Sequence, residues 1–354
     1  MKKVLCMVLA LLMSLLAVGT ASADSADKPY EGTEIVVFNW YDYIDPSVID
    51  MFTEETGITV KYANFTNNEE MYTKLTANPG AYDVIVPSDY IIERMIADDA
   101  LLKLDPALMP NIAGLCDWVK TPAYDPTGEY SVPYMWGTLG ILYNTTMVDE
   151  PITHWAQLFD TKYANNVIMM DSYRDTLGLV LKMQGYSMNE RSEEALGEAR
   201  DILIKQKQDG IVKAYQLDET KDKMIAGEAA LAVVYSGDAL YAMEGSEDLA
   251  YVVPMEGSNI WLDGMCIPKE SKNPEAAMVF IDYMCRPDIA RMNMDYIWYS
   301  TPIQAVIDGM SEEESSNETL NPPQDVIDRC EFFNDVGEDV YLYEEIWSEV
   351  RLAR

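Results

Sequence analysis

The chain has 354 residues, and its 60 acidic and 25 basic side chains give a formal net charge of -35. This charge opposes binding to nucleic acid or to an anionic membrane surface, and it attracts cationic ligands. The length predicts two domains. The single histidine, His154, excludes histidine-rich zinc sites, and no Gly-x-Ser-x-Gly motif supplies a serine for a Ser-His-Asp triad.

The amino-terminal segment has the pattern of an export signal. Two lysines precede an apolar stretch at positions 4–18, and Ala21-Ser22-Ala23 follows. This order of charged, apolar and small residues is typical of a cleavable signal peptide, and the stretch is short for a membrane span. We therefore predict a signal peptide at residues 1–23 and a mature protein that is periplasmic or otherwise extracytoplasmic.

Four cysteines remain in the mature chain, in apolar or aromatic surroundings and without CxxC spacing: Cys116, Cys266, Cys285 and Cys330. An even number of cysteines in an exported protein allows disulfides in three pairings. Buried free thiols are at least as consistent with these surroundings. The sequence leaves both possibilities open.

The first predicted strand ends in aromatic and acidic side chains. Ile35–Phe38 is an apolar run typical of a strand buried on both faces, and Asn39-Trp40-Tyr41-Asp42-Tyr43 follows it. Asp45 and Pro46 then predict the N-cap and first residue of a helix. Ligands of open α/β sheets bind at the carboxyl ends of strands, so the rings and the acid favour a cation site. A surface turn with packed aromatic rings is an equal alternative.

The same pattern follows two later strands. Tyr82–Val86 is succeeded by Pro87-Ser88-Asp89-Tyr90, and Ala229–Tyr235 is succeeded by Ser236-Gly237-Asp238. Helical segments alternate with these strands, which predicts a mainly parallel sheet. Three strand ends of this kind make a cation site more plausible than one does.

Other segments complete the predicted organisation. Ser131–Asn144 reads as an extended segment that leaves one domain and enters another, and Trp261 and Asp263 lie two apart on one face of a strand. We also predict a helix at Asn189–Lys207 capped by Asn189, a surface loop at Ser311–Asn321 and a terminal helix at Glu338–Arg354.

Six segments, in order along nearly the whole mature chain, resemble the spermidine/putrescine-binding proteins of polyamine ABC transporters. They are Phe38-Asn39-Trp40-Tyr41-Asp42-Tyr43, Gly80-Ala81-Tyr82-Asp83-Val84-Ile85-Val86-Pro87-Ser88, Val132-Pro133-Tyr134-Met135-Trp136-Gly137, Trp261-Leu262-Asp263, Arg286-Pro287-Asp288 and Asn334-Asp335-Val336-Gly337. Because the segments are dispersed and correctly ordered, we regard the resemblance as specific.

The resemblance implies a two-lobed, type II-like periplasmic-binding-protein fold of the α/β class, with mostly parallel sheets joined by crossing strands. Lobe 1 would comprise residues 30–136 and 262–306, and lobe 2 residues 137–261 and 307–354. A monomer without cofactor or metal would bind putrescine or spermidine between the lobes and deliver it to a membrane permease. The resemblance implies no enzymatic activity.

Ten residues match positions of the family's ligand site. The resemblance assigns rings to the alkyl chain and ammonium groups, carboxylates to the ammonium groups, and Ser88 to one end of the site. Tyr235 replaces a usual Trp, and Asp175 a usual Glu. The ten are Trp40, Tyr43, Ser88, Tyr90, Asp175, Tyr235, Asp238, Trp261, Asp263 and Tyr299.

Four departures from the family pattern leave the length of the ligand open. Ser172 stands where spermidine-preferring members often carry Asp, and Asp238 resembles the putrescine-preferring branch. Phe333 stands where a Gln contact is expected, and Tyr41 replaces a small hydroxyl residue and would narrow the pocket.

Structural and functional alternatives accompany these assignments. Asp238 would cap a helix starting at Ala239, Asp175 would pair with Arg174 or with solvent, and Trp261 would be ordinary core. The same fold would otherwise carry ferric iron or another small solute. An exported hydrolase using two carboxylates is a further alternative.

Overall fold

The computed structural model describes residues 28–353, so the predicted signal peptide lies outside the described residues. Nine strands within this range form one curled sheet. They are β1 (Glu34–Trp40), β2 (Thr59–Phe65), β3 (Val84–Ile85), β4 (Ser131–Asn144), β5 (Val167–Met170), β6 (Val212–Gln216), β7 (Leu231–Tyr235), β8 (Leu249–Val252) and β9 (Ile260–Cys266).

Helices flank the sheet. The α-helices are α1 (Pro46–Thr56), α2 (Asn68–Ala77), α3 (Asp89–Ala97), α4 (Tyr173–Met183), α5 (Glu193–Gln208), α6 (Glu219–Ile225), α7 (Ser236–Gly245), α8 (Pro274–Met284), α9 (Pro287–Ile297), α10 (Gln304–Asp308), α11 (Glu312–Ser316), α12 (Gln324–Ile327) and α13 (Val340–Leu352). Short 3₁₀ helices lie at Pro106–Leu108, Pro110–Gly114, Asp117–Val119, Trp155–Phe159, Thr161–Tyr163 and Gly337–Asp339.

The sheet has two halves that share strand β4. The strand order is β2-β1-β3-β9-β4-β7-β5-β6, with β8 also paired to β4. In the first half, β1 pairs in parallel with both β2 and β3. In the second half, β5 pairs in parallel with both β6 and β7. Each half therefore contains a parallel three-stranded group, as the alternation of strands and helices predicts.

The long strand β4 determines where the two parallel groups point. Its first part, Ser131–Thr138, pairs antiparallel with β9, and Leu139–Tyr143 pairs antiparallel with β7. Since β3 is antiparallel to β9, strands β1 and β3 run in the direction of β4, whereas β7 and β5 run against it. The second half lies farther along β4, so the carboxyl ends of both groups face the boundary between the halves.

Burial on both faces explains the apolar strand sequences of the second half. Leu231 and Val233 of β7 face one core cluster, and the intervening Ala232 and Val234 face another. This alternation follows from the two-residue period of a strand. A separate large core, which includes Ile35, packs the first half. The halves therefore carry distinct cores and meet along β4 and β9.

Helix α1 begins as its sequence predicts. The Asp45 side chain accepts a hydrogen bond from the Ser47 amide at 2.8 Å, and Pro46 is the first helical residue. Gly57 ends the helix with φ of 76°, a conformation that glycine adopts without a steric penalty. This helix carries the chain away from the aromatic segment at the end of β1.

One predicted helix start, at Asn189, and one alternative cap, at Asp238, are wrong. Helix α5 begins at Glu193 with Ser192 as N-cap, because Asn189 instead accepts hydrogen bonds from Arg174 and from the Asn334 amide. Helix α7 begins at Ser236, which places Asp238 inside the first turn and not at the cap.

The predicted surface loop at Ser311–Asn321 is helical in part. It contains α11, whose start is stabilised by a capping box between Ser311 and Glu314.

The structure has the cysteines as thiols and not as disulfides. The four cysteines Cys116, Cys266, Cys285 and Cys330 are free, and the first three are buried. Between residues 28 and 353, no helix has the length and apolar character needed to cross a membrane.

We predict that Gly137, on β4 where the halves meet, cannot be replaced without cost. A Cβ atom there would lie 2.6 Å from Ser236 Oγ and 2.8 Å from Cζ2 of Trp261. Gly137→Ala should therefore lower the free energy of unfolding by about 1–3 kcal/mol in urea denaturation. Gly197→Ala is the matched control, because the Cβ position of this helical glycine has no described atom within 4 Å. It should raise stability by roughly 0.5–1 kcal/mol, and equal effects of the two variants would contradict the prediction.

Candidate ligand-binding site

Three tyrosine hydroxyls each donate a hydrogen bond to a carboxylate at the boundary between the halves. Two of the carboxylates are buried and the third is half-buried. The pairs are Tyr43 with Asp263 Oδ2 at 2.8 Å, Tyr235 with Asp175 Oδ2 at 3.0 Å, and Tyr299 with Asp238 Oδ2 at 3.3 Å. Six of the ten predicted site residues therefore form three pairs of the same chemistry.

Aromatic contacts join these pairs into one cluster. The ring of Trp261 contacts Tyr235 at 5.9 Å and Tyr299 at 4.9 Å between centroids, with interplanar angles of 75° and 83°. Tyr299 in turn contacts Tyr43 at 5.9 Å with an angle of 71°. These edge-to-face geometries are favourable for aromatic pairs. We call the rings of Tyr43, Tyr235, Trp261 and Tyr299 the aromatic wall.

The crossing strands place this wall at the boundary. Tyr235 is the last residue of β7 and pairs with Leu139 of β4. On the other side of β4, Trp261 pairs with Gly137 and Asp263 with Met135. Trp261 and Asp263 lie two residues apart and so share one face of β9, as predicted.

Two of the paired carboxylates and the indole of the wall have unused hydrogen-bonding capacity. In the described part of the chain, Asp263 Oδ1, Asp175 Oδ1 and Trp261 Nε1 are buried without a hydrogen-bond partner. Native proteins satisfy nearly all buried polar atoms, so two orphaned acceptors and one orphaned donor in the same cluster call for a physical explanation. A ligand that donates hydrogen bonds and carries positive charge would satisfy the carboxylate oxygens.

Burial makes these carboxylates unusually weak acids. It raises the pKa of Asp263 to about 7, although the hydroxyls of Ser88 and Tyr43 lower the value in part. Burial also raises the pKa of Asp175, which the hydroxyls of Ser172 and Tyr235 lower. A cation beside either group would favour the ionised form.

Asp175 is held by its own helix and by the wall. It lies in the first turn of α4, and its Oδ2 accepts a hydrogen bond from the Ser172 hydroxyl at 2.5 Å. Arg174 points elsewhere: its guanidinium donates to the Asn334 carbonyl and stacks over the Phe333 ring at 4.5 Å. The alternative pairing of Asp175 with Arg174 is therefore not present.

Asp89 is a further buried acid that the sequence analysis did not select. Its Oδ1 accepts a hydrogen bond from the Tyr90 amide at 2.7 Å, and its Oδ2 is buried without a partner in residues 28–353. Burial raises the pKa of Asp89, and the charges of Asp263 and Asp175 raise it further. The available signal was its position directly after a strand, between Ser88 and Tyr90.

Trp40 and Tyr90 make their contacts with residues outside the aromatic wall. Trp40 Nε1 donates to the Val86 carbonyl at 2.9 Å, and its ring packs on Phe65 at 4.5 Å. The Tyr90 hydroxyl donates to Glu69 Oε1 at 3.0 Å.

Glu69 also links the two halves of the molecule. Its Oε1 accepts a second hydrogen bond, at 2.7 Å, from the hydroxyl of Tyr173 on α4. Neither Glu69 nor Tyr173 has a sequence signal that marks this contact, because their positions in helices α2 and α4 become related only in the folded chain.

Two of the residues that depart from the family pattern, and Asp42 beside one of them, have clear positions. Tyr41 is 56% exposed, so its side chain extends mainly into solvent. Phe333 is buried and contacts Tyr90 at 6.3 Å between ring centroids. Asp42 is exposed and adopts a positive φ of 49°, which Asp tolerates better than most residues.

Over residues 28–353, no group of three or more His, Cys, Asp or Glu side chains is arranged to hold a metal ion. The site therefore consists of carboxylates, tyrosine hydroxyls and aromatic faces, with unused acceptors in its interior. This combination suits an organic cation with an apolar body.

Comparison with known proteins defines the class. Residues 47–322 match the model of the bacterial extracellular solute-binding protein family. The spermidine/putrescine-binding periplasmic protein of Salmonella typhimurium is 33% identical over 341 residues, which cover 96% of this chain and 96% of that protein. The putrescine-binding periplasmic protein SpuD of Pseudomonas aeruginosa is 29% identical, over 85% of this chain and 86% of that protein.

Similar solved structures indicate the same class of protein. A spermidine/putrescine ABC transporter protein from Listeria monocytogenes is 38% identical with a TM-score of 0.87, over 91% of this chain and 100% of that chain. The spermidine/putrescine ABC transporter substrate-binding protein of Streptococcus pneumoniae is also 38% identical, with a TM-score of 0.79, over 91% of this chain and 99% of that chain.

Fold and site together define an extracellular solute-binding protein with the two-lobed α/β fold, which confirms the predicted fold class. The chain belongs to the family of the spermidine/putrescine-binding periplasmic proteins.

The raised pKa of Asp263 predicts how the stability of the free protein depends on pH. Its folded-state pKa of about 7 exceeds the unfolded value of about 3.8, so its stabilising contribution is complete below the unfolded value and is lost as pH rises through 7. The substitution Asp263→Asn removes this pH-dependent loss of stability, because asparagine does not ionise. Without ligand, the variant should gain about 2 kcal/mol relative to wild type between about pH 5.5 and about pH 8.5 in urea denaturation.

The matched control is Asp50→Asn, which alters an exposed side chain on α1. The difference in stability between this variant and wild type should stay constant over the same pH range. If the stability difference between Asp263→Asn and wild type is also constant over this pH range, the raised pKa assigned to the buried Asp263 carboxylate is contradicted.

Proposed function

We propose that the protein binds putrescine or spermidine outside the cytoplasm and delivers it to an ABC transporter permease by closure of its lobes. One observation carries this proposal: Asp263 and Asp175 each present an orphaned buried carboxylate oxygen beside the same aromatic wall. Two carboxylates that flank an apolar aromatic surface match two ammonium groups that flank an alkyl chain. The names of the relatives supply the polyamine class.

The energetics favour this class of ligand. Burying an ammonium group costs several kcal/mol unless a carboxylate meets it. Each hydrogen bond to a charged group contributes about 1.5–3 kcal/mol, and an ammonium over an aromatic face about 0.5–2 kcal/mol. Asp263 and Asp175 would each satisfy one ammonium, and Trp261, Tyr235 and Tyr299 would cover the methylene groups. The Ser88 hydroxyl would help to position the ammonium at Asp263, while Trp40 and Tyr90 would line the edge of the site.

Lobe closure is supported by contacts between the halves of the fold. We assign residues 30–136 and 262–306 to lobe 1, and residues 137–261 and 307–354 to lobe 2. Under this assignment, the hydrogen bond from Tyr173 to Glu69 and the 2.6 Å hydrogen bond from the Asp335 amide to Glu93 Oε2 both join the lobes. These contacts are suited to a closed state that exchanges with an open one.

The remaining assignments follow from the same proposal. The signal peptide at residues 1–23 would export the chain to the periplasm or an equivalent compartment. There it would act as a monomer, with the polyamine and the permease as partners, and without enzymatic activity. Neither a cofactor nor a metal is required by the chemistry of carboxylates and rings.

The tyrosines disfavour ferric iron as cargo. Burial raises the pKa of Tyr43, Tyr235 and Tyr299 well above the usual tyrosine value, and neighbouring carboxylates raise it further. Iron binding through tyrosine requires phenolates, whereas in the metal-free protein these hydroxyls are protonated and donate to carboxylates. An anionic cargo would be repelled by the negative charge of Asp263 and Asp175.

Calorimetry on the mature protein tests the proposal. Putrescine or spermidine should bind at micromolar concentration or below, and a chelator should have no effect. Asp263→Asn should weaken binding by roughly a hundredfold, because the ammonium loses its ionised partner, and Trp261→Ala by roughly tenfold or more.

Tyr341→Ala, which removes a ring that is 69% exposed on α13, is the control for ring removal and should bind normally. Absence of heat with putrescine, spermidine and cadaverine at micromolar concentration would refute the proposed function. A requirement for added iron would favour the alternative cargo.

A further inference from the structure

The three carboxylates that accept hydrogen bonds from tyrosines are not equivalent. Asp263 and Asp175 each keep one oxygen without a partner, and in residues 28–353 neither has a lysine or arginine within ion-pair distance. Asp238 differs, because its Oδ1 lies 3.5 Å from the Nζ atom of Lys221. The protein therefore already supplies an ammonium group to one of its three carboxylates.

The surroundings of Lys221 are those that a ligand ammonium would need. Its Nζ lies 5.4 Å from the centroid of the Tyr241 ring as well as beside Asp238. The side chains of Lys221 and Asp238 are each 23% exposed, so the pair is largely shielded from water. Although burial lowers the pKa of Lys221, Asp238 and Asp218 raise it, and the net direction is upward. Lys221 is thus held as a cation.

Asp238 is also connected to the aromatic wall. Its second oxygen accepts the hydrogen bond from the Tyr299 hydroxyl, and Tyr299 packs on Trp261. The Lys221 ammonium consequently occupies the end of the same cluster that holds the two orphaned carboxylates. A small cavity lies beside it, lined in part by Asp218, Thr220 and Tyr235. The hydroxyl of Thr220, which is 1% exposed, has no hydrogen-bond partner in the described residues.

We propose that Lys221 is a specificity-determining residue that occupies the Asp238 subsite with the protein's own ammonium and so favours diamines over triamines. The inference rests on the proposed polyamine-binding function. A diamine can satisfy Asp263 and Asp175 and leave the ion pair intact. At the Asp238 subsite, the third ammonium of a triamine must either displace Lys221 or lie close to a like charge, and both arrangements weaken binding.

The experiment compares putrescine with spermidine by calorimetric titration of the mature protein. Lys221→Met keeps the apolar stem and removes the charge. It should raise the ratio of spermidine affinity to putrescine affinity by about tenfold or more, which corresponds to about 1.4 kcal/mol. Lys221→Arg keeps the charge and should leave the ratio near that of wild type.

Two further variants make the comparison specific. Lys223→Met on the same helix removes a lysine whose Nζ donates to Gln216 Oε1 at 2.7 Å, and it should not alter the ratio. Adding Asp238→Asn to Lys221→Met should abolish the gain, because the freed carboxylate is the proposed partner of the third ammonium. Thermal denaturation confirms that each variant is folded before titration.

The outcomes separate this inference from the function on which it rests. If wild type binds neither polyamine, the proposed function fails. If wild type binds a polyamine but Lys221→Met leaves the ratio unchanged, the inference alone is overturned. A gain that persists when Asp238→Asn is added would also overturn it, because the effect would not pass through that carboxylate.

Discussion

Asp263, Asp175 and Asp89 are buried at the boundary of the two lobes, and the charges of the first two raise the pKa of the third. Carboxylates in this situation are costly to ionise unless a cation is present. The free protein therefore holds acids whose ionised form is disfavoured, and an ammonium group bound beside them would favour that ionised form. The aromatic wall, the tyrosine hydroxyls and the crossing strands all serve to keep these acids close together, dry and partly unsatisfied.

Because helices begin near the site, acidic side chains are needed there if the site is to accept a cation. Helices α3, α4 and α7 each follow a strand and begin near the site, and their amino-terminal ends carry partial positive charge that favours anions. Each places an aspartate in its first turn, namely Asp89, Asp175 and Asp238. The carboxylates reverse the local sign of charge while the helix dipoles help to stabilise them. A scaffold that is suited to anions is thereby converted into one that accepts cations.

Much of this site was predictable because its residues follow local rules. Short apolar runs end in acids and rings, and the two-residue spacing of Trp261 and Asp263 assigned them to one face of a strand, where the structure has them. Contacts set by tertiary structure were not predictable. Asn189 does not cap α5 because Arg174 and the Asn334 amide engage its side chain. Likewise, Lys221 and Glu69 lie in helices without any distinguishing motif, and only packing brings them to Asp238 and Tyr173.

The unequal state of the three carboxylates bears on how the lobes respond to a ligand. In the proposed lobe assignment, Asp238 and Lys221 both lie in the lobe that carries α6 and α7, whereas Tyr299, which donates to Asp238, follows α9 in the other lobe. The Gly237 backbone approaches the Tyr299 ring so closely that a Cβ atom there would overlap the ring. Closure of the proposed lobes would bring the Tyr299 ring against the start of α7, next to a carboxylate that is already paired with Lys221. Asp263 lies on β9 and Asp175 on α4, in different lobes of the proposed assignment. A diamine that bridged these two carboxylates would connect one lobe to the other, and its binding energy would favour the closed state.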